Sequence, residues 1–236
     1  MSNATSAPTH LFAALRPERA PHVRSIDTLR AAAAVFFRYP SPRLLGAQWI
    51  VFVLLRLAVG DFTPWDLAVV GGVALYWPFQ EWTAHRYILH MRPRTILGVR
   101  IDPAPSRVHR AHHRQPWNLD HVFLPGRFIV GMIPIHIAAW LVFAPTLALA
   151  LTGMVAFGGA ALFYEWIHYL THTFYKPRSA WYRRVWRGHR LHHFKSEHHW
   201  LGFTAPGIDV LLGTSPDPKD VETSPTCATL GIDEDA

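Results

Sequence analysis

Ten of the sixteen histidines in this chain fall into four short clusters, and a fold must bring those clusters together before they can act as one site. Imidazole is the commonest metal-ligating side chain, and histidines three or four positions apart on a helix share one face. The clusters therefore predict a metal centre carried by helices. Their members are His85 and His90 (H-x4-H), His109, His112 and His113 (H-x2-HH), His168 and His172 (H-x3-H), and His189, His192 and His193 (H-x2-HH).

The number of candidate ligands predicts two metal ions. Ten ligands exceed the roughly four to six positions of one first-row ion, and sharing them between two ions leaves room for water or dioxygen. Only one spacing is irregular: His85 and His90 would lie about 140° apart on a helix of about 3.6 residues per turn. We therefore expect the helix to loosen or bulge between them. Scattered structural histidines or a tag-like tract are the alternative, but a tag would be contiguous and terminal.

Composition and long apolar runs predict a membrane protein. Half of the residues are hydrophobic and only 17% are charged, which is low for a soluble domain of this size. Residues 44–60 can form one span, with Arg56 near its end able to snorkel to water. Residues 66–84 form a second, and residues 128–170 are long enough for a hairpin of two spans that turns near Pro145. The expected fold is an all-α integral membrane protein with about four transmembrane helices.

Arginine distribution predicts how the spans are oriented. Arginine-rich segments lie between the second and third spans and after the fourth, so the positive-inside rule places both histidine-rich segments and both termini in the cytoplasm. The membrane would be a bacterial inner membrane or the endoplasmic reticulum. We expect residues 1–43 to be a cytoplasmic or interfacial segment without a cleavable signal peptide. A short helix near residues 29–37, capped by Ser25 or Asp27, would lie along the interface.

We expect the chain to divide into three segments, of which residues 1–43 are the first. Residues 44–215 would form the membrane catalytic domain, and residues 216–236, with the single Cys227, would form an acidic flexible tail. A net charge of +7 could also suit nucleic-acid binding. The arginines lie beside spans and metal ligands, however, so anionic lipid head groups explain the charge more simply, and we expect no nucleic-acid partner.

The histidine clusters and the residues around them resemble a known superfamily. The strings FQEWTAHRYILH, HRAHH followed by PWNLDHVFLP, YEWIHYLTH, and HRLHHF with a downstream GFTAPGIDVLLGT are similar to those of the fatty acid hydroxylase and sterol desaturase superfamily. Within it, the membrane fatty acid 2-hydroxylases that act on sphingolipid acyl chains are the most similar. The resemblance extends from about residue 45 to about residue 215.

This resemblance implies a membrane-bound non-haem di-iron oxygenase that hydroxylates a lipid C–H bond with dioxygen and two external electrons. Four membrane helices would carry a cytoplasmic helical cap, and all ten clustered histidines would be iron ligands. The same ligands would accept zinc in the purified protein, but zinc has no redox couple with which to activate dioxygen. An acyl or sphingolipid chain is the expected substrate. Hydroxylation or desaturation of a sterol or carotenoid is the alternative within the superfamily.

Partners and competing functions also follow from the residues. The chain lacks a His-Pro-Gly-Gly haem signature, so we expect electrons from a separate donor of the cytochrome b5 or ferredoxin type. The oligomeric state is left open. A histidine-rich membrane metal-binding or transport protein is the alternative from another class, although transporters usually place their ligands at mid-bilayer depth.

Two glutamates are expected to support the ligands. Glu81 precedes His85 by four residues and Glu165 precedes His168 by three, so each could bond a ligand ring and fix its tautomer. Direct ligation by Glu165 stays open, because Glu-x-x-His is a di-iron spacing, and Glu81 could instead be a solvated carboxylate. Asp209 is expected to have a structural role. Four further histidines could line the site or lie elsewhere: His121, His136, His198 and His199.

Overall fold

The structure is a computed structural model and describes residues 23–232, which form eight α-helices and one small sheet. A six-residue π-helix, Ala84–Leu89, continues the third α-helix directly. Strands β1 (Arg94–Ile96) and β2 (Val99–Ile101) pair antiparallel as a hairpin. Single 3₁₀ turns lie at Val23–Ser25 and Leu119–His121. The α-helices are α1 (Leu29–Phe36), α2 (Pro40–Val59), α3 (Pro64–Thr83), α4 (Ala104–Arg114), α5 (Gly126–Phe143), α6 (Leu147–Thr171), α7 (Ala180–Phe194) and α8 (Gly207–Leu211).

The first helix is part of the core. Its N-cap is Thr28, whose hydroxyl accepts from the amide of Ala31 at 3.2 Å, so the predicted caps Ser25 and Asp27 are wrong by one to three positions. The ring of Phe36 lies 5.0 Å from that of Trp166 and 5.5 Å from that of Tyr169, between ring centroids. The face of α1 that carries Phe36 therefore packs on α6. The expectation that α1 lies along the membrane interface can apply only to its other face.

Within residues 23–232, three helices are long and apolar enough to cross a membrane: α2, α5 together with the turn before it, and α6. The predicted hairpin is present, since α5 ends at Phe143, α6 begins at Leu147, and Pro145 lies between them. The predicted second span corresponds to α3, which has 20 residues but is not among these three candidates. Its sequence carries Asp66, Gln80 and Glu81, which lower its apolar character. A count of four spans therefore remains a prediction.

A buried ion pair ties together α2, α3 and α6. Arg56 is only 4% exposed and donates to Asp66 and to the hydroxyl of Thr152, each at 2.7 Å. Asp66 also closes a capping box with Thr63 at the start of α3. A buried charge is costly unless it is paired and hydrogen-bonded, which explains this arrangement. The expectation that Arg56 snorkels to water is therefore wrong.

The segment after α8 packs against the rest of the protein. Cys227, Leu230 and Ile232 are buried, and Arg114 of α4 donates to the carbonyl of Ile232 at 2.7 Å. The interpretation of residues 216–236 as a flexible tail is thus corrected for the part up to residue 232, because its apolar side chains find a buried surface that charge composition did not reveal. The last four residues, and residues 1–22 of the predicted N-terminal segment with His10 and His22, lie outside the described range.

Candidate metal centre

A π-helix brings the first histidine pair onto one side of the chain. The amide of His90 donates to the carbonyl of His85 at 3.3 Å, which is the i to i+5 bond of a π-helix. The two ring centroids are only 4.7 Å apart. The predicted bulge between these two histidines is therefore confirmed, and it offsets the separation that a regular helix would impose.

Five histidines from three parts of the chain form the first group. Their candidate ligand atoms all lie within 4.8 Å of one another. The Nε2 atom of His109 is 3.2 Å from that of His85 and 3.1 Å from those of His90 and His113. Nε2 of His192 is 3.2 Å from that of His113. The members of the first group are His85, His90, His109, His113 and His192.

Hydrogen bonding alone does not explain these distances. A neutral ring nitrogen has either one proton or one lone pair, so Nε2 of His109 cannot bond three neighbouring nitrogens at once. A shared ion does explain them. With metal–nitrogen distances of about 2.0–2.1 Å, two ligand nitrogens at right angles are separated by about 3 Å. The donor set of the first group thus fits a first-row metal ion.

A second group lies beside the first. It consists of His112, His168, His172 and His189, whose ligand atoms are again all within 4.8 Å of one another. Nε2 of His172 is 2.6 Å from that of His189, and Nε2 of His168 is 3.2 Å from that of His112. The tenth predicted ligand, His193, is in neither group, but its Nε2 is 3.0 Å from that of His189. It therefore adjoins the second group.

Helices α4 and α7 each contribute to both groups. On α4, His109 and His113 face the first group and His112 faces the second. On α7, His192 faces the first and His189 the second. Because the H-x2-HH pattern spans about one helical turn, adjacent positions point to neighbouring sites. The two groups thus form one continuous cluster, as a binuclear centre requires.

Burial keeps these rings neutral. It lowers the pKa of His109, His112 and His113 well below the usual value, and neighbouring histidines lower it further. Burial likewise lowers the pKa of His192, to about 4. An imidazole must be neutral to offer its lone pair to a metal. The cluster is therefore in the ligand-competent form at neutral pH.

Backbone carbonyls orient several of the rings. The Nδ1–H of His85 donates to Leu201 at 2.7 Å, that of His113 to Cys227 at 2.8 Å, and that of His192 to His199 at 2.9 Å. Each bond leaves Nε2 free to face the cluster, which is how outer hydrogen bonds set ligand tautomers. The sequence did not indicate these acceptors, because every residue has a carbonyl and only the tertiary fold selects three of them.

Glu81 acts on the cluster indirectly. Its carboxylate accepts from the indole of Trp77 at 3.1 Å, the amide of Thr204 at 2.9 Å, the Thr204 hydroxyl and the amide of Phe203. With these donors in place, it holds the loop that contains Leu201, whose carbonyl orients His85. Glu81 is also 4% exposed. The expectations of a direct bond to a histidine and of a solvated carboxylate are both corrected.

Glu165 is buried beside the cluster but is a member of neither histidine group. Its Oε1 accepts from the hydroxyl of Ser41 at 2.5 Å and from the amide of Leu124 at 3.1 Å. These bonds join α6 to the start of α2 and to the turn before α5. The arrangement does not support direct ligation, and these two hydrogen bonds give Glu165 a role in positioning helices around the site instead of bonding His168.

The remaining polar candidates have separate positions. Asp209 accepts from the amides of Leu201 and Gly202, both at 2.8 Å, which fits its predicted structural role. The His198 side chain is 71% exposed. His199 contributes its carbonyl to His192, as described above. His121 lines a small cavity together with Glu165 and His168, and His136 lines a larger one.

That larger cavity adjoins the first group from the side of the apolar helices. It has a volume of about 310 Å³ and lies among α2, α3, α5 and α6. His85 lines one part of it, while His136 and Phe157 line another. Phe203 is fully buried, and its ring centroid lies 4.7 Å from that of His85 and 4.6 Å from that of His189. An apolar space thus leads to the histidine cluster.

Known proteins that are similar to this chain are hydroxylases of fatty acids or fatty acyl chains. Two dihydroceramide fatty acyl 2-hydroxylases of Arabidopsis thaliana are each 29% identical to the chain; the alignments cover 71% and 64% of this chain, and 70% and 61% of the relatives. A fatty acid 2-hydroxylase of Mus musculus is 26% identical over 59% of this chain and 37% of its own length. No solved structure matches. The family model described as fatty acid hydroxylase matches residues 70–214, and the chain therefore belongs to the fatty acid hydroxylase family.

Proposed function

We propose that this protein is a membrane-bound di-iron monooxygenase that hydroxylates a fatty acyl chain of a membrane lipid, with dioxygen as co-substrate. The observation that carries the proposal is the contact between an apolar cavity and a cluster of ten histidines, nine of them buried, since His85 belongs to both. Family membership supports a lipid hydroxylase. The names of the Arabidopsis relatives support an acyl chain of a sphingolipid as the substrate.

The proposed ligands are the nine histidines of the two groups together with His193. Iron would supply the redox couple that dioxygen activation needs, which zinc in the same ligands would not. The residues themselves keep the ligand atoms neutral and aimed at the centre. Glu81 holds Phe203 and Leu201 in place, and the buried Phe203 ring packs against ligands of both groups and so shields that side of the cluster from water.

The cavity favours a flexible chain as substrate. Its volume of about 310 Å³ is at the small end of the range for ligand pockets. The helices that surround it include all three candidate membrane spans, so an acyl chain could enter from the lipid phase. A single methylene chain can adapt to such a space more easily than a rigid ring system can. Sterols and carotenoids are therefore the less favoured substrates.

Topology and electron supply form part of the same proposal. We place α3 in the membrane as a fourth span, because it packs along α6, one of the candidate spans, and ends at the first histidine pair. The histidine cluster then lies on the arginine-rich side, which is the cytoplasmic side by the positive-inside rule. A separate electron donor with an acidic surface, of the cytochrome b5 or ferredoxin type, would suit that basic face.

The experiment that tests this function is lipid mass spectrometry of cells that express the chain with labelled dioxygen in the atmosphere. Wild-type protein should add one labelled oxygen atom to an acyl-containing lipid. A double variant, His109→Ala with His168→Ala, removes one ligand from each group and should abolish the product at matched membrane abundance. The control variant His198→Ala changes an exposed histidine outside both groups and should retain activity.

Other results would replace the proposal. Loss of two hydrogens without added oxygen would identify a desaturase, and an oxidised sterol or carotenoid would change the substrate class. If a competent electron donor and iron are supplied and no lipid changes, metal uptake by whole cells becomes the decisive measurement. A dependence of uptake on His109 and His168 would then favour the metal-transport alternative.

A further inference from the structure

The β-hairpin of residues 94–101 has one largely apolar face and one polar face. In its register Ile96 pairs with Val99, Arg94 with Ile101, and Thr95 with Arg100. Paired residues share a face and successive pairs alternate between faces. Ile96, Val99 and Ile101 therefore lie together on one face, with Arg94 on the same face at the end far from the turn, and Thr95 lies with Arg100 on the other. The turn between the strands presents a further apolar side chain, Leu97.

This apolar face is exposed throughout. The exposed fractions are 98% for Leu97, 64% for Val99, 51% for Ile96 and 39% for Ile101. Among the residues that the structure describes, no third strand pairs with these two. An isolated two-stranded hairpin is marginally stable in water, and a contiguous apolar patch on its surface usually marks a site of contact with lipid or protein. The hairpin thus has an exposed apolar surface of the kind that lipid or another protein covers.

Positive charge accompanies the apolar surface. Arg92, Arg94 and Arg100 are exposed in or beside the hairpin. The nearest carboxylate in the sequence, Asp102, is bonded by both oxygens to Arg110, at 2.7 and 2.8 Å. The local surface is therefore basic. Apolar side chains flanked by arginines suit the head-group region of an anionic bilayer, where the charges meet phosphates and the side chains meet acyl chains.

The hairpin is anchored next to the cavity and to the apolar helices. It connects the π-helix, whose Ile88 lines the cavity, to α4, whose Pro105 lines the same cavity. Arg110 of α4 also donates to the carbonyl of Met91 at 3.0 Å, which clamps the base of the hairpin. Tyr87 and Ile88 are about half exposed and extend the apolar surface toward α3. The patch is thus continuous with the part of the chain that adjoins the candidate membrane spans.

From this placement we infer that the hairpin inserts its Leu97 turn and its apolar face into the head-group region of the bilayer. Arg94, which shares that face at the base of the hairpin, contacts lipid phosphates there. Because both ends of the hairpin adjoin the cavity, the insertion holds the whole segment between Ile88 and Pro105 at the lipid surface. The inference depends on the chain being embedded in a membrane, and not on which reaction it catalyses.

A site-specific probe of lipid contact tests this inference. In a Cys227→Ser background, Leu97→Cys is labelled with a polarity-sensitive fluorophore, and the protein is placed in nanodiscs of zwitterionic lipid containing anionic phospholipid. Spin-labelled lipids with the nitroxide near the head group should quench this probe several-fold more than a probe at Asp220→Cys. Asp220 is an exposed polar position in the segment after α8 and serves as the matched control.

The charge contribution has its own readout. Replacing Arg94 by glutamine should reduce quenching at residue 97 in anionic nanodiscs and leave it unchanged in purely zwitterionic ones. Equal quenching at residues 97 and 220 would overturn the inference, whether the probe then lies in water or against another protein. Because the readout needs no turnover, failure here would be distinct from failure of the proposed hydroxylase activity.

Discussion

At the scale of single residues, a histidine serves a metal only when its proton is on the correct nitrogen. In the first group this is arranged by carbonyls of residues far away in the sequence, such as Leu201 for His85 and Cys227 for His113. Burial then keeps the rings neutral. The ligand nitrogens are thus already oriented, and little reorganisation would be needed when a metal binds.

Removal of one ligand should abolish metal binding in one histidine group and leave it intact in the other. His109 is the central member of the first group, because its Nε2 lies within 3.2 Å of three other Nε2 atoms. We expect His109→Ala to lower the metal content of purified protein from about two ions per chain to about one. Mass spectrometry of metals measures this directly. His198→Ala should retain both ions, and an unchanged content in His109→Ala would show that this group holds no metal.

Glu81→Gln should weaken metal binding by the first group, although no histidine ligand is replaced. The carboxylate accepts four hydrogen bonds, whereas an amide offers one accepting oxygen and turns a donor toward other donors. Each orphaned buried donor costs about 1–3 kcal/mol. We expect a lower thermal midpoint and a metal affinity reduced by about 10–100-fold in competition with a chelator.

The control for this substitution is Glu222→Gln, which changes an exposed carboxylate after α8 in the same way. That variant should keep the affinity and thermal midpoint of the wild type. If Glu81→Gln also behaved as the wild type, Glu81 would not be holding the 201–204 loop.

At the scale of elements, the π-helix decides whether His85 and His90 can share a metal. Deleting Tyr87 would leave the histidines four positions apart, about 40° on an α-helix, so the first group should keep its ion. Inserting an alanine after Tyr87 would leave them six apart, about 120° on an α-helix, so the ion should be lost. Metal content of the two variants checks this opposite pair of outcomes. Loss in both would mean that the π geometry itself is required.

The C-terminal segment is a second element with a testable role. Truncation after Pro225 removes the Cys227 carbonyl that orients His113 and the Thr226 hydroxyl that donates to Glu197 at 2.5 Å. We expect weaker metal binding in the first group and a lower thermal midpoint. Truncation after Ile232 removes only the last four residues and should have neither effect. Equal behaviour of the two truncated proteins would contradict a supporting role for this segment.

Sequence patterns predicted some of these elements well and others not at all. The irregular spacing of His85 and His90 predicted a bulge, and the length of the apolar run predicted a helix hairpin near Pro145, because both depend on local geometry. The packing of Cys227 against α4 and the bonds of Glu81 to Phe203 depend on contacts across more than 100 positions. Local periodicity carries no information on such contacts, and composition alone suggested a flexible tail.

At the scale of the whole molecule, the buried polar groups lie near the two ends of the apolar helices. The Arg56–Asp66 pair joins three helices at one end of α2, and the histidine cluster lies beyond the other ends of α3 and α6. The clusters predicted that these distant segments converge, since ten histidine ligands can form one metal centre only if the fold brings them together. The number of membrane spans was harder to predict, because α3 mixes apolar residues with carboxylates that serve protein contacts.

Acid should destabilise the metal-free protein through the buried histidines. An unfolded histidine has a pKa near 6.5, whereas burial lowers the pKa of His192 to about 4 and that of His109 well below its usual range. Between those values the unfolded chain binds more protons than the folded one, so stability rises with pH there. The stabilisation is therefore complete above about pH 6.5 and is lost progressively as the pH falls toward about 4.

Thermal unfolding in detergent across this range measures the effect. The midpoint of the metal-free protein should fall steadily as the pH decreases below about 6.5, and bound metal should delay the fall until protons displace it. His192→Gln replaces one titrating group by a neutral one and should give a shallower dependence, while His198→Ala should keep the wild-type slope. A midpoint independent of pH over this window would mean that the rings are charged in the folded protein, and so would contradict a cluster of neutral metal ligands.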